Sequence, residues 1–302
     1  MKTKTCLAFV VGLPLMLATA CAIATPFFFS TGDPDGKMGT ASRPTTGIFG
    51  IETADDFSLS QQTQITSATF TGLLTGGATA ANINYVGVEI YRVFPNDSDV
   101  GRTSGPATFS TAQVPTRVNS PSDVAFATRD SGGTLSFSAN TLNASFTVLN
   151  SVQPGGIHPS PNQTTLGNGP ATGMEVEFDL TFLSALDLPA DHYFFVPLVG
   201  LSTGEFLWLS APRPIVPPGT PFPPGVTDLQ TWTRDDALDP DWLRVGTDIV
   251  GGSPAPTFNA AFSLTGETGA GSTVPEPGSL FLIVAGSLAL LVARRRQVVG
   301  SQ

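Results

Sequence analysis

The stretch MEVEFDLTF, residues Met174–Phe182, alternates apolar and polar side chains at every position. Successive side chains of a β-strand point to opposite faces of the sheet, so this alternation puts all the apolar side chains on one face. The other face carries Glu175, Glu177, Asp179 and Thr181. The pattern therefore predicts a strand that is buried on its apolar face and solvated on its acidic face.

Weaker alternating runs lie on both sides of this strand, separated by turn-forming residues. The chain has 32 Gly and 26 Pro among 302 residues, which suits short strands joined by turns. We therefore predict an all-β fold, a β-sandwich or jelly-roll-like ectodomain over residues 25–265, with a split into two β domains near residue 160 as the alternative. Ala211–Gly225 is rich in proline and is predicted to be a loop. The other predicted strands are Ile65–Leu74, Ile83–Phe94, Thr134–Phe137, Thr141–Leu149, His192–Leu201, Glu205–Ser210 and Thr257–Leu264.

The acidic face of Met174–Phe182 has two further interpretations. Its carboxylates could bind a cation, or two of them could serve a jelly-roll glycoside hydrolase, which needs a carboxyl pair about 5–5.5 Å apart in a retaining enzyme. One of that pair must have a raised pKa, and a carboxyl beside solvent has none. A solvated strand face is therefore the favoured interpretation.

The N-terminus has the pattern of a secretory signal peptide over residues 1–24, with an apolar helix-forming core. Lys2 and Lys4 are basic, Cys6–Met16 is apolar, and Ala22 and Ala24 form a small-residue cleavage site. Export across the inner membrane follows from this pattern. Both cysteines of the chain lie in the segment, so the mature protein is predicted to contain no disulfide. Lipidation of the second cysteine is the alternative.

The C-terminus ends in a short apolar segment, Gly278–Ala293, followed by Arg294, Arg295 and Arg296. A helix of this length spans about 24 Å, against about 30 Å of bilayer hydrocarbon. The arginines are expected to stop transfer and to stay in the cytoplasm. We predict one short transmembrane helix, reached through a flexible linker at residues 266–273.

The segment Val274, Pro275, Glu276 and Pro277, followed by this helix and the basic tail, resembles a PEP-CTERM sorting signal, here placed at residues 274–297. The resemblance implies that exosortase, a membrane-embedded cysteine transpeptidase, cleaves near the motif. It also implies a host that makes exopolysaccharide and delivery from the membrane to the cell surface or extracellular matrix. The two prolines favour an extended segment that an enzyme can reach.

The middle of the chain also resembles uncharacterised bacterial surface proteins that carry such a tail. The likeness rests on Thr31–Met38, Glu52–Phe57 and Asp241–Gly246. It implies a class of protein and no chemistry.

The charge balance excludes a nucleic-acid partner. The formal net charge is −10, and five of the 14 basic residues lie in the two terminal segments, so the middle is more acidic still. Phosphate backbones require a basic surface. An acidic exported domain suits solubility or weak cation binding instead.

Asp235, Asp236, Asp239 and Asp241 form a candidate calcium site, because carboxylate oxygens are the ligands that Ca²⁺ prefers. Turns or a capped helix explain the same residues, and no other cofactor is expected. Asp55-Asp56 could bind a metal, but a turn before Phe57 is the favoured interpretation. The tryptophans could form a sugar-stacking platform, but packing in the core is favoured for them. The tryptophans are Trp208, Trp232 and Trp242.

We expect no enzymatic activity. Gly200–Gly204 matches the G-x-S-x-G pattern of hydrolases, but both flanks are predicted strands, whereas that pattern needs a following helix. Both histidines, His158 and His192, precede Ser202, although hydrolases of this type place the histidine after the serine. The predicted role is structural or adhesive; a carbohydrate- or calcium-binding module is the alternative, and a jelly-roll glycoside hydrolase is less favoured.

Overall fold

The computed structural model describes residues 24–98, 118–157, 164–235 and 242–269. These ranges contain fifteen strands, two 3₁₀ turns at Ala80–Asn82 and Pro154–Gly156, and a π-helical turn at Val245–Val250. The strands form two sheets, which confirms the predicted all-β sandwich. In chain order they are β1 (Thr25–Ser30), β2 (Met38–Ala41), β3 (Ile51–Leu59), β4 (Thr63–Leu74), β5 (Ile83–Arg92), β6 (Ala127–Asp130), β7 (Leu135–Val148), β8 (Asn150–Val152), β9 (Ala171–Leu188), β10 (Asp191–Leu201), β11 (Phe206–Ala211), β12 (Trp232–Asp235), β13 (Leu243–Arg244), β14 (Asn259–Ala260) and β15 (Phe262–Thr268).

The larger sheet is built around β4. One path through it runs β1-β15-β4-β11-β2-β8, while β9 also pairs with β4 and carries β7, and β14 pairs with β11. The smaller sheet runs β13-β12-β3-β10-β5-β6. Within the described residues, the only parallel pair of strands is β2 with β8.

The main core lies between the two sheets and is rich in phenylalanine. Val176, Phe178 and Leu180 of β9 point into it, as the alternation of Met174–Phe182 predicts. The rings of Phe70 and Phe178 stack with centroids 4.7 Å apart. Such aromatic pairs add attraction beyond the apolar area that they bury.

The outer face of the smaller sheet is covered by its own chain. Leu229, Trp232 and Trp242 pack there against Tyr91 and Phe194. Because both faces of this sheet are buried, its strands do not show the clean alternation of a half-exposed strand.

Strands β3 and β7 differ from the sequence-based prediction, because neither shows a regular alternation of apolar and polar side chains. β3 was predicted to be a turn at Asp55-Asp56, but both aspartates lie inside the strand and are buried, on opposite faces. β7 was predicted as two strands, Thr134–Phe137 and Thr141–Leu149. Its register against β9 shifts near Thr141 and Phe146. Such irregularities break the alternation of side chains without ending the strand.

The first and last strands lie side by side. β1 pairs with β15 from Thr25 opposite Thr268 to Ser30 opposite Ser263. β15 continues past residue 265 into the predicted linker 266–273. Gly266, which falls in the predicted linker, sits at a register shift of this strand. A Cβ there would lie 2.1 Å from the Gln64 carbonyl oxygen, so the glycine allows the close approach of β4.

No helix within the described ranges is long and apolar enough to cross a membrane. The predicted signal-peptide helix and the predicted C-terminal helix fall outside those ranges.

Candidate functional site

A cleft opens on the outer face of the larger sheet. Its volume is about 510 Å³, which falls in the range of about 300–1,000 Å³ typical of ligand pockets. Strands β1, β4, β7, β9 and β15 contribute to it, together with the loop after β1. The lining residues are Phe28, Ser30, Gly32, Asp33, Pro34, Thr69, Thr71, Leu142, Asn143, Phe146, Glu175, Glu177, Pro218, Ala261, Phe262 and Ser263.

The acidic face of β9 forms one side of this cleft. The prediction of a solvated face is wrong for Glu175, which is only 4% exposed. Asn143 on the adjoining strand β7 donates a hydrogen bond to the Glu175 carboxylate. Two residues past Glu177, Asp179 accepts a hydrogen bond of 2.6 Å from the Asn140 amide. Both flanking carboxylates are therefore held by β7.

Glu177, between them, is held by no described residue: it makes no hydrogen bond or ion pair within the parts of the chain that the structure describes. Partial burial raises the pKa of Glu177, and the charges of Asp179 and Asp33 raise it further. Asp33 lines the cleft as well. The cleft thus contains a carboxyl group available to a ligand and a second acidic group close enough to affect it.

An apolar wall lies beside these carboxyl groups. Phe28 on the edge strand β1 is 57% exposed and is the most exposed aromatic residue of the described ranges. Phe146 and Leu142 come from β7. Between the acidic side and the wall, Thr69 and Ser263 share a hydroxyl–hydroxyl hydrogen bond of 2.7 Å. The cleft combines an aromatic surface with hydroxyl, amide and carboxylate groups.

The three tryptophans do not contribute to this surface. Trp208, Trp232 and Trp242 are 1%, 2% and 2% exposed, so the interpretation as core residues is confirmed. The Trp242 ring is covered by the Arg234 guanidinium, whose carbon lies 4.5 Å from the ring centroid. Phe28 and Phe146, which do line the cleft, were not singled out from the sequence. Phe28 lies in the apolar run that follows the signal peptide, which conceals it.

A second group of acidic side chains, Asp55 and Asp56, is buried on the interior strand β3 of the smaller sheet. Asp55 accepts a hydrogen bond of 2.8 Å from the backbone N–H of Ala260. Asp56 accepts hydrogen bonds from the backbone N–H of Leu229, at 3.1 Å to each oxygen, and lies 2.6 Å from His192 Nε2. These contacts fasten β14 and the segment before β12 to β3.

Burial raises the pKa of both Asp55 and Asp56 well above the ordinary value. The surroundings of Asp55 can accommodate a proton on this carboxyl. The Thr231 hydroxyl is 2.9 Å from the Phe258 carbonyl oxygen and 3.3 Å from Asp55 Oδ1. The Phe258 carbonyl oxygen also accepts the Thr231 backbone N–H at 2.9 Å, so the single hydroxyl hydrogen of Thr231 is available to either oxygen. The contact is compatible with both forms of Asp55: the carboxylate accepts from the Thr231 hydroxyl, and the neutral carboxyl can donate to the hydroxyl oxygen.

The candidate calcium residues are only partly described. Asp235 is the last residue of β12 and is buried, while Asp236, Asp239 and Asp241 lie outside the described residues. Among the described residues, no three His, Cys, Asp or Glu side chains are grouped so that they could hold a metal ion. Gly200–Gly204 connects β10 of the smaller sheet to β11 of the larger one with no helix after it, and is not the hairpin turn that its flanks suggest.

The residues of the two terminal signals lie almost entirely outside the described ranges. Ala22, Val274–Pro277 and Arg294–Arg296 are among them, and Ala24 is an exposed residue directly before β1. Comparison with family models identifies a PEP-CTERM protein-sorting motif at residues 273–296. Comparisons with curated proteins and with solved structures give no match.

The chain therefore carries a PEP-CTERM sorting motif, as its residues predict. This motif makes it an exported protein that is sorted through exosortase, at the membrane and toward the cell surface. The match lies outside the sandwich, so the resemblance of the middle region to uncharacterised surface proteins stays a prediction.

Proposed function

We propose that the chain is a surface or extracellular-matrix protein with a structural or adhesive role, which it performs by binding a polysaccharide in the cleft without catalysing a reaction. Before processing, the apolar segment Gly278–Ala293 and the three arginines tether it to the membrane. After cleavage by exosortase the sandwich joins the exopolysaccharide outside the cell.

The observation that supports this proposal is the presence of Phe28 and Glu177 in one cleft. A sugar ring has an apolar face of C–H groups and a rim of hydroxyl groups. The exposed Phe28 ring suits the face, because apolar and aromatic surface supplies most of the contact area in ligand sites. The Glu177 carboxylate suits the rim, since ionised acceptors make the stronger hydrogen bonds.

The experiment is a binding titration of the full chain, purified in mild detergent, against neutral and charged oligosaccharides. Phe28→Ala is expected to weaken binding about tenfold, which corresponds to the loss of one ring contact of about 1.4 kcal/mol. Phe49→Ala is the matched control, because Phe49 is also exposed but does not line the cleft. A chain that binds no oligosaccharide, or binds equally with and without the Phe28 ring, would contradict the proposal. A parallel titration with EDTA tests the calcium-binding alternative.

One observation favours glycoside hydrolysis as a second candidate. The raised pKa of Glu177, in a cleft that also contains Glu175, is the property that a general acid needs. Incubation with the bound oligosaccharide and chromatography of the products tests it. If cleavage occurs, Glu177→Gln should abolish it, and cleavage that survives this substitution would exclude the residue as the acid.

A further inference from the structure

We propose that Glu177 and Asp33 make the cleft selective for polysaccharides that carry protonated amino groups, and against those that carry carboxylates. This inference rests on the proposed function, because it specifies the charge of the glycan that the same cleft binds.

The first step concerns the charge of the cleft walls. Three acidic side chains line it, and no lysine, arginine or histidine is among its described lining residues. A ligand carboxylate would therefore approach like charges with no opposite charge to offset them. Phe28 and Phe146 line the cleft beside these charges and offer no polar group that could offset them.

Some carboxylates near the cleft already have a hydrogen-bond partner, and others do not. The side-chain amides of Asn143 and Asn140 on β7 donate hydrogen bonds to the carboxylates of Glu175 and Asp179, respectively. Glu177 and Asp33 have no such partner in the described parts of the chain, and their mutual repulsion is one cause of the raised pKa of Glu177. A cation between two repelling carboxyl groups is attracted by both.

The third step identifies the chemistry of the cation. The cleft has an aromatic wall and hydroxyl-bearing strands, so its ligand is expected to offer more than a charge. A protonated amino sugar carries an ammonium group with three hydrogen-bond donors on a ring that can contact Phe28. A uronate offers the same ring with a carboxylate, which the two acidic residues repel.

The test is a titration of the full chain in mild detergent with three oligosaccharides of equal length: glucosamine, N-acetylglucosamine and galacturonate. The buffer is chosen so that the glucosamine amino groups carry protons. The expected order of affinity is glucosamine first, N-acetylglucosamine second and galacturonate last. Added sodium chloride should weaken glucosamine binding and leave N-acetylglucosamine binding unchanged, because salt screens only the charged contact.

Asp33→Asn should weaken glucosamine binding about fivefold, the upper range for a partly exposed charge pair, and leave N-acetylglucosamine binding unchanged. Glu177→Gln should weaken glucosamine binding by more than it weakens N-acetylglucosamine binding, because only the amino sugar loses a charge–charge contact as well as a hydrogen bond. Asp187→Asn is the matched control, since it removes the same charge from an exposed position on β9 that does not line the cleft. Circular dichroism of each variant reports whether the fold is retained.

The outcomes separate the two proposals. Equal binding of glucosamine and N-acetylglucosamine, indifferent to both cleft substitutions, overturns the charge selectivity and leaves the proposed function standing. Tightest binding of galacturonate also overturns the selectivity. Failure of all three oligosaccharides to bind overturns the proposed function, and the selectivity with it.

Discussion

Replacement of Asp55 tests whether a buried proton holds the sandwich together. When its raised pKa keeps Asp55 neutral, one oxygen of the carboxyl can donate to the Thr231 hydroxyl oxygen while the other accepts from the Ala260 N–H. An asparagine has the same shape, with its amide nitrogen in place of the protonated oxygen. Asp55→Asn should therefore keep both hydrogen bonds, while Asp55→Ala should leave the Ala260 N–H buried and unpaired.

The magnitudes follow from this difference. An unpaired buried donor costs about 1–3 kcal/mol, so Asp55→Ala should lower the free energy of unfolding by at least that amount. Asp55→Asn should match the wild type to within about 0.5 kcal/mol at acidic pH, where the wild-type carboxyl is protonated in both states. Because Asp55 is fully buried, solvent does not attenuate these effects.

The pH dependence has a definite sign. The pKa of Asp55 is raised in the folded state. Its stabilising contribution is therefore complete below the unfolded pKa of about 3.9 and decreases as pH rises toward the folded value. The Asp55→Asn variant lacks this titration, so its stability relative to the wild type should increase across that interval.

Urea unfolding followed by tryptophan fluorescence measures both effects, because all three tryptophans are buried. Two results would refute the reasoning. One is an Asp55→Asn variant as unstable as Asp55→Ala, which would show that the carboxylate form is required. The other is a stability difference between Asp55→Asn and the wild type that does not change with pH.

Three further outcomes are expected. Gly72→Ala should destabilise the fold by about 1–3 kcal/mol in the same urea assay, because its Cβ would lie 2.1 Å from the Phe206 ring; a variant of unchanged stability would contradict the packing. Trp242→Ala should cost about 3–5 kcal/mol, through the loss of a buried ring that Arg234 covers, and a cost below 1 kcal/mol would argue against its burial. Joint replacement of Pro275 and Pro277 by alanine should leave the chain full-length in the membrane fraction on an immunoblot, because an extended sorting motif is lost; normal processing would show that the prolines are dispensable.

How much of the fold could be predicted from the sequence depended on how each strand is buried. Over Met174–Phe182, β9 has one apolar face in the core and one polar face that is more exposed except at Glu175, so its side chains alternate and this part of the strand was predicted correctly. β3 is buried on both faces, and its two aspartates resemble turn residues by composition. Nothing local in the sequence distinguishes a turn aspartate from one that fastens distant strands, since the partners Ala260 and Leu229 lie more than 170 residues away.

The cleft was predictable only in part, for a related reason. The acidic residues of β9 were identified because their spacing is local. Phe28 and Asp33 reach the cleft because β1 pairs with β15, and Asn143 reaches it because β7 pairs with β9. Such pairings between distant parts of the chain leave no periodic signal. A site assembled by sheet topology is therefore recognised in the sequence only on the strand that happens to carry several of its members.

The formal net charge of the chain overstates how many of its carboxyl groups are ionised in the folded protein. The formal charge counts every aspartate and glutamate as ionised, yet Asp55 is buried under conditions that favour its neutral form. Partial burial raises the pKa of Glu177 as well, and the charges of Asp179 and Asp33 raise it further. One group stabilises the fold and the other is available to a ligand. They lie on different strands of different sheets, so substitution of Asp55 should change unfolding without changing glycan selectivity, and substitution of Glu177 should do the reverse.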